Sequence, residues 1–86
     1  NINQIAVVLK DNSYGHGLIS ISKLASEFGI KRAVVRSLDE AIEIEEFFDY
    51  ILILAPDKFQ ENPKFHFTLN SLEDLEKIIK LNLANK

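Results

Sequence analysis

The chain has 86 residues, of which 47% are hydrophobic and 27% are charged, a composition typical of one globular domain at most. Its net charge of −3 argues against nucleic acid or an anionic membrane surface as the main partner. The chain has no cysteine, so it has no disulfide framework or thiolate metal site, and a reducing compartment is allowed without being proved. No apolar run approaches the roughly 20 residues of a membrane helix, and we expect a cytoplasmic protein.

The first predicted element is a strand over about residues 4–10. Residues 5–9 are all apolar, which is typical of a strand buried on both faces of a parallel sheet. Lys10 then follows at the carboxyl end of the strand, the edge at which α/β proteins bind ligands. An ammonium group at the rim of a buried sheet is costly unless it has a partner or a chemical task, so Lys10 is a candidate site residue.

The second element is a helix over about residues 17–28. Its apolar side chains recur at helical spacing and are Leu18, Ile21, Leu24, Ala25 and Phe28. Gly29 is expected to end this helix, since glycine commonly follows the last helical turn. A short strand over about residues 33–36 comes next.

Ser37 and Glu40 show the pattern of a capping box, in which each side chain accepts a bond from a free backbone amide at a helix start. The helix that they open is predicted over about residues 38–48. Acidic side chains crowd this helix, a pattern most often found on a solvated face. The next strand, over about residues 50–54, is again apolar on both faces.

Pro56 is expected to stop that strand. Residues 57–61 are then predicted to form one helical turn, which Pro63 closes. The connection is short, so we expect little regular helix in it. A fourth strand follows over about residues 65–69.

Ser71 and Asp74 resemble a second capping box, which opens a third helix over about residues 72–82. Strands that alternate with helices at this pitch predict parallel strands with right-handed crossovers. The predicted fold class is therefore α/β, with parallel β/α units of about four strands and three helices. Such a sheet keeps two free edges and an uncovered face, so we expect the isolated chain to self-associate.

Residues 7–17 read VVLKDNSYGHG and resemble the lysine motif of the alanine racemases, V-V-K-x-N-x-Y-G-H-G, with one leucine between the valines and the lysine. A lysine, an asparagine, a tyrosine, two glycines and a histidine match at fixed offsets. Residues 37–41 (SLDEA) are similar to the family's segment at the start of the next helix, and residues 50–54 (YILIL) to its following strand. The resemblance is dense up to that strand and looser beyond it.

The resemblance implies that Lys10 forms an internal aldimine with pyridoxal 5′-phosphate and then acts as a base on the α-proton of the substrate. From the strand alone, a solvated lysine at a strand end is an equal alternative; with the whole motif matched, we favour the functional role. Tyr14 is implied to donate its hydroxyl to the cofactor phosphate, the alternative being an amphipathic tyrosine packed at the rim. Lys10 and Tyr14 are the two site residues that the resemblance transfers to this chain.

Other polar and apolar candidates receive a structural interpretation. Val8 alternates onto the same face as the lysine and Leu54 ends its strand at the same rim; either could pack against the cofactor, although plain core positions are more common. Arg36 could face the site or pair with the acidic helix. His16 is expected to fix the loop, and His66 to be structural or exposed, so we predict no metal site.

The resemblance also implies an architecture larger than this chain. Alanine racemases bind the cofactor in a TIM (β/α)8 barrel, which takes about 250 residues. A mostly β domain follows, and each site is shared across a homodimer. We therefore interpret residues 1–86, which begin without a methionine, as a fragment of the barrel domain that binds pyridoxal phosphate. The second base (a tyrosine) and most phosphate-binding groups would fall beyond this chain, so we expect the fragment alone to be inactive.

The implied function of the parent protein is the interconversion of L-alanine and D-alanine, which supplies D-alanine for peptidoglycan. Two alternatives stay open. One is a non-racemising barrel protein that binds pyridoxal phosphate to store or deliver it, against which the Tyr-Gly-His-Gly segment argues. The other is a non-enzymatic α/β module in which the lysine is incidental. Cofactor absorbance and an alanine racemisation assay would distinguish the three.

Overall fold

The computed structural model describes residues 2–9, 17–56 and 58–84, with only the backbone of residues 83 and 84. In chain order, the strands and helices of this described part are β1 (Ala6–Val8), α1 (Gly17–Glu27), β2 (Arg32–Val35), α2 (Leu38–Ile44), β3 (Tyr50–Ile53), β4 (Phe65–Phe67) and α3 (Leu72–Ala84). Short 3₁₀ turns precede β1 and follow α2, at Ile2–Gln4 and Glu45–Phe47. The predicted order of strands and helices is confirmed, although each strand is shorter than expected or shifted by a residue.

The four strands form one parallel sheet in the order β1-β2-β3-β4, as the alternating pattern predicts. Val7 pairs with Ala33, Ala33 with Ile51, and Ile51 with Phe65. Paired residues of neighbouring strands share a face, and side chains alternate between faces along each strand. These four apolar side chains therefore form a row across one face of the sheet.

Helices α1 and α2 pack on this side of the sheet, which we call the covered face. Its buried strand residues, together with the buried helix residues on them, are Ala33, Val35, Ile51, Ile53, Phe65, Leu18, Ala25, Leu38, Ala41 and Ile44. Burying a large aliphatic or aromatic side chain contributes about 1.5–3 kcal/mol. The core of the described chain thus lies between two helices and one side of the sheet.

The opposite side, which we call the open face, is formed by the alternate strand residues: Ala6, Val8, Arg32, Val34, Tyr50, Leu52 and His66. None of these residues is buried, and Val8 is 52% exposed. The prediction that the first strand is buried on both faces is therefore wrong. A continuous apolar run predicts burial on two sides, but the described helices α1 and α2 cover only one.

Helix α1 matches the predicted span to within one residue at its end, but its apolar stripe is only partly buried. Leu18 and Ala25 lie in the core, whereas Leu24 is 67% exposed and Phe28 is 76% exposed. Helical spacing predicts which side chains share a side of the helix. It does not predict how wide a surface the sheet offers them.

Gly29 ends α1 as predicted, with a positive φ of 95° that side-chain-bearing residues rarely adopt. Its N–H donates to the Ser26 carbonyl at 3.0 Å, and the Ile30 N–H donates to the Ala25 carbonyl at 3.0 Å. These two bonds form a Schellman motif, which satisfies carbonyls that the helix leaves free.

The predicted capping box at the start of α2 is confirmed. The Glu40 N–H donates to the Ser37 hydroxyl oxygen at 3.3 Å, and the Ser37 N–H donates to the Glu40 carboxylate at 3.2 Å. The α-helix ends at Ile44 and tightens into a 3₁₀ turn, so it is shorter than the predicted span to residue 48.

The connection from β3 to β4 contains no helix among its described residues, as expected, and the predicted helical turn over residues 57–61 is wrong. Asp57 lies outside the described residues. The Asn62 amide donates to the Glu45 carboxylate at 3.0 Å, and the Lys64 ammonium donates to the Glu45 carbonyl at 3.0 Å. These contacts, which join the connection to the end of α2, take the place of local helical bonds.

Helix α3 begins with a variant of the expected capping box. The Asp74 N–H donates to the Ser71 hydroxyl oxygen at 3.1 Å, but the Asp74 carboxylate accepts from the Asn70 N–H at 3.0 Å, one residue earlier than in a capping box. Leu72 is 71% exposed and Ile79 is 48% exposed, so α3 is loosely packed. Within the described part of the chain, no helix has both the length and the apolar character needed to cross a membrane.

Candidate functional site

The two site residues transferred by the resemblance, Lys10 and Tyr14, lie outside the described residues, as does His16. The chain on either side is described. The Leu9 N–H donates to the Val34 carbonyl at 2.8 Å, which continues the β1–β2 ladder by one bond, and Leu9 is fully buried. Helix α1 begins at Gly17. The described chain therefore reaches the carboxyl edge of the sheet at Leu9 and continues at Gly17 with the start of α1.

The end of β2 adds a cationic residue to this edge. Arg36 follows β2 directly and is exposed, and its backbone N–H donates to the Glu40 carboxylate at 2.9 Å. The acidic helix α2 thus contacts the backbone of Arg36. On the same helix, the Asp39 carboxylate pairs with the Lys58 ammonium at 3.1 Å. Both side chains are exposed, and ion pairs of this kind contribute little to stability.

The end of β3 is held by side chains that the sequence analysis did not single out. The Leu54 N–H donates to the Val35 carbonyl at 2.9 Å. The Leu54 carbonyl accepts from the Thr68 hydroxyl and from the Asn70 side-chain amide, both at 2.8 Å. Leu54 itself is half-buried. Thr68 and Asn70, which follow β4, therefore hold the backbone of the residue that directly follows β3.

One row of the open face leads towards this edge. Val8 pairs with Val34, Val34 with Leu52, and Leu52 with His66. Two residues after Val34, Leu52 and His66 come Arg36, Leu54 and Thr68. Val8 is more exposed than a core residue, so the interpretation of Val8 as plain core is wrong for this chain.

The other end of the open face is formed by a stack of three planar groups. The Arg32 guanidinium lies 5.3 Å from the centre of the Tyr50 ring, and the His66 ring stacks on Tyr50 with centres 3.9 Å apart. His66 is half-buried, which agrees with the structural role expected for it. The three side chains contact one another, so we assign them to the packing of the open face.

Two cavities of the described residues lie elsewhere, one against α1 and lined by Ile21, Leu24 and Phe28 among others, the other between the β3–β4 connection and α3. The cavity at α3 has a volume of about 370 Å³ and is lined by residues that include Phe59, Phe67 and Ile78. None of its lining residues belongs to the carboxyl edge at Arg36, Leu54 or Thr68. We therefore place the candidate site at the carboxyl edge, which residues 10–16 follow.

Comparison with known proteins identifies the family. A family model described as alanine racemase, N-terminal domain, matches residues 1–86. The chain belongs to this family. The resemblance seen in residues 7–17 is therefore confirmed by a match over the whole chain.

Individual alanine racemases are similar to the chain over most of its length. The alanine racemase of a Nitratiruptor species is 47% identical over 74 residues, which cover 86% of this chain and 22% of the relative. That of Campylobacter concisus is 45% identical over 84 residues, covering 93% of this chain and 25% of the relative. The chain thus spans about a quarter of the length of these relatives.

The fold is similar to that of a solved alanine racemase. The crystal structure of alanine racemase from Oenococcus oeni matches with a TM-score of 0.69 and 34% identity, covering 92% of this chain and 24% of that one. The predicted fold class, a run of parallel β/α units equivalent to part of the racemase barrel, is confirmed.

Proposed function

We propose that residues 1–86 are part of the cofactor-binding barrel domain of an alanine racemase, which interconverts L-alanine and D-alanine and uses pyridoxal 5′-phosphate held by Lys10. The observation that supports this is the family match over the whole chain, combined with the motif in residues 7–17. That motif starts in β1, and Lys10 follows Leu9 directly. Carboxyl ends of parallel strands are where barrel enzymes place their chemistry.

The described surroundings fit such a cofactor. Val8 and Leu54 offer partly exposed apolar side chains at this end of the sheet, which suit a flat aromatic ring. Arg36 adds a cation at the same edge, which suits a phosphate. The described residues of this row carry no negative charge that would repel a phosphate. They are Val8, Val34, Leu52 and His66, followed by Arg36, Leu54 and Thr68.

Pyridoxal phosphate, when bound, supplies an aldehyde that condenses with amines and a ring that withdraws electrons from the substrate α-carbon. In our proposal the Lys10 amine would hold the cofactor covalently until the substrate amine takes its place. The freed Lys10 amine would then accept the proton on one side of that carbon in one direction of the reaction and return it in the other. Tyr14 donates its hydroxyl to the phosphate and so orients the ring. A lysine amine suits both tasks because it is a nucleophile and a base in one group.

Inversion of configuration needs a second base on the opposite side of the α-carbon. We propose that a tyrosine from the second, mostly β domain of the partner subunit provides it, so that the working enzyme is a homodimer. In this proposal the protein is cytoplasmic, and the D-alanine that it makes is used for peptidoglycan.

Borohydride reduction of the complete protein tests the assignment of Lys10. Reduction should make the cofactor attachment permanent, and peptide mass mapping should then find the adduct on the peptide that contains Lys10. Lys10→Ala should abolish both the adduct and the visible absorbance of the bound cofactor. Lys23→Ala is the matched control, because Lys23 is an exposed lysine on α1. An adduct on another lysine, with Lys10 unmodified, would refute the assignment.

A further inference from the structure

Among the described residues of the sheet, the end of β3 is held by hydrogen bonds from two side chains. The Thr68 N–H donates to the Ile53 carbonyl at 3.1 Å, which is an ordinary ladder bond. At the next carbonyl, that of Leu54, the donors are the side chains of Thr68 and Asn70. The backbone N–H of Asn70 donates to the Asp74 carboxylate at the start of α3, so the β3–β4 ladder does not continue at this residue. The N–H of Leu54 faces β2, and in a regular parallel strand its carbonyl would face β2 as well. Here the carbonyl faces Thr68 and Asn70, so two side chains hold the backbone at the point where it leaves the regular ladder.

Leu54 needs such support because the chain leaves the sheet directly after it. The Ala55 N–H still donates to the Arg36 carbonyl at 2.9 Å, and Pro56 then ends the ladder. No helix among the described residues of the β3–β4 connection packs over this strand end. The Thr68 hydroxyl and the Asn70 amide also lie 3.4 Å apart, so the two donors support each other.

We propose that Thr68 and Asn70 are positioning residues of the cofactor site, which hold the Leu54 carbonyl so that the Leu54 side chain packs against the cofactor ring. This inference rests on the function proposed above. Leu54 directly follows β3 and its N–H still donates to the Val35 carbonyl, so alternation from Leu52 assigns its side chain to the open face as well. Leu54 belongs to the same row as Arg36, since the two residues follow the paired residues Leu52 and Val34 by two positions. An apolar side chain there shields the ring from water only if its backbone is held in place.

Thr68→Val in the complete protein is the first test, because valine keeps the shape of threonine and removes the hydroxyl. Titration of the apoprotein with pyridoxal phosphate, followed by visible absorbance, should show about fivefold weaker binding, the value of one net hydrogen bond. Thr68→Ser keeps the hydroxyl and should bind the cofactor within about twofold of the unchanged protein.

A double-mutant cycle tests whether Thr68 acts through Leu54. In a Leu54→Ala background there is no large side chain to position, so Thr68→Val should change cofactor binding by less than about twofold. The same fivefold loss in both backgrounds would overturn the proposal, because Thr68 would then act by another route. A lower melting temperature with unchanged cofactor binding would also overturn it, since that is the result of a purely structural role.

Asn70→Ala provides an independent variant if Thr68→Val does not fold. Asn70 is exposed, so its replacement leaves the core intact, and cofactor binding should weaken by about twofold to fivefold. Unchanged binding in Asn70→Ala would overturn the role of Asn70. If the unchanged complete protein binds no pyridoxal phosphate, the proposed function itself fails, which separates that result from a failure of the positioning role alone.

Discussion

The two faces of the sheet differ although the strands that form them are almost uniformly apolar. Ile51 on the covered face is fully buried, whereas its neighbour Leu52 on the open face is only half-buried. Helices α1 and α2 supply the atoms that bury the first, and the described chain supplies no comparable layer over the second. Hydrophobicity along a strand therefore indicates which residues can be buried, while the positions of the helices decide which are.

The chemistry of the two faces differs as well. The covered face is made of aliphatic and phenylalanine side chains, whereas the open face includes Arg32, Tyr50 and His66. Towards the carboxyl edge it continues with Arg36 and Thr68. We therefore expect substitutions on the covered face to change stability and those on the open face to change binding, association or activity.

The largest expected effect concerns activity. We expect the isolated 86-residue chain to racemise alanine at least about 10²–10⁴-fold more slowly than the complete enzyme, since the loss of one positioned base alone costs that much. A coupled assay of D-alanine formation on the purified chain measures this. Turnover close to that of the complete enzyme would show that the open face needs no further part of the protein.

A neighbouring pair of substitutions compares the stability of the two faces directly. Ile51→Ala should lower the free energy of unfolding by about 2–5 kcal/mol, because it leaves a cavity under the helices. Leu52→Ala removes a similar volume from the half-buried open face and should cost about 1 kcal/mol. Urea titration of both variants gives the two values. Equal costs would mean that the open face is as tightly covered as the other.

The open face should also drive association of the isolated chain. Val8 is 52% exposed next to the free edge of β1, and a charge there should disfavour contact between copies. Light scattering after size exclusion should show an oligomer for the unchanged chain and a shift towards monomer for Val8→Lys. Ile42→Lys is the control, because Ile42 is 45% exposed on α2. A monomeric unchanged chain would refute the prediction.

The smallest expected effects concern the helix caps. Ser37→Ala should destabilise the chain by about 1 kcal/mol, because α2 packs on the covered face and the Ser37 hydroxyl caps the start of this helix. Ser71→Ala should cost less, since α3 is loosely packed and can fray without unfolding the sheet. Thermal unfolding of the two variants compares them, and an equal loss would show that α3 is part of the same cooperative unit.

The features that the sequence predicted well are set by residues close in the chain. The bonds of Ser37 with Glu40 span three residues, and the end of α1 at Gly29 depends on the last helical turn. Such contacts follow from residue type and spacing alone. The extent of helix α2 and the connection after β3 were predicted less well, because Glu45 contacts Asn62 and Lys64 across 17 and 19 residues.

The candidate site likewise combines residues that a local pattern predicts with residues whose contacts are distant in the chain. Lys10 and Tyr14 were found from a local motif, and their roles stay predictions because they lie outside the described residues. The bonds from Thr68 and Asn70 to Leu54 span 14 and 16 residues, and no local pattern marks them. They become visible only when the pairing of β3 with β4 is known. Thr68 lies within the predicted span of the fourth strand and Asn70 directly after it, and neither position indicates a bond to Leu54.

The short connection between β3 and β4 also affects how the chain folds. Ile51 and Phe65 pair across 14 residues, whereas Ala6 and Arg32 pair across 26. Closing a loop about half as long costs about 0.6 kcal/mol less in chain entropy. The bonds of Asn62 and Lys64 to Glu45 then hold the closed loop in place of a crossover helix. We therefore expect β3 and β4 to pair before β1 joins the sheet, an order that pulsed hydrogen exchange would detect as earlier protection of Ile51 than of Leu9.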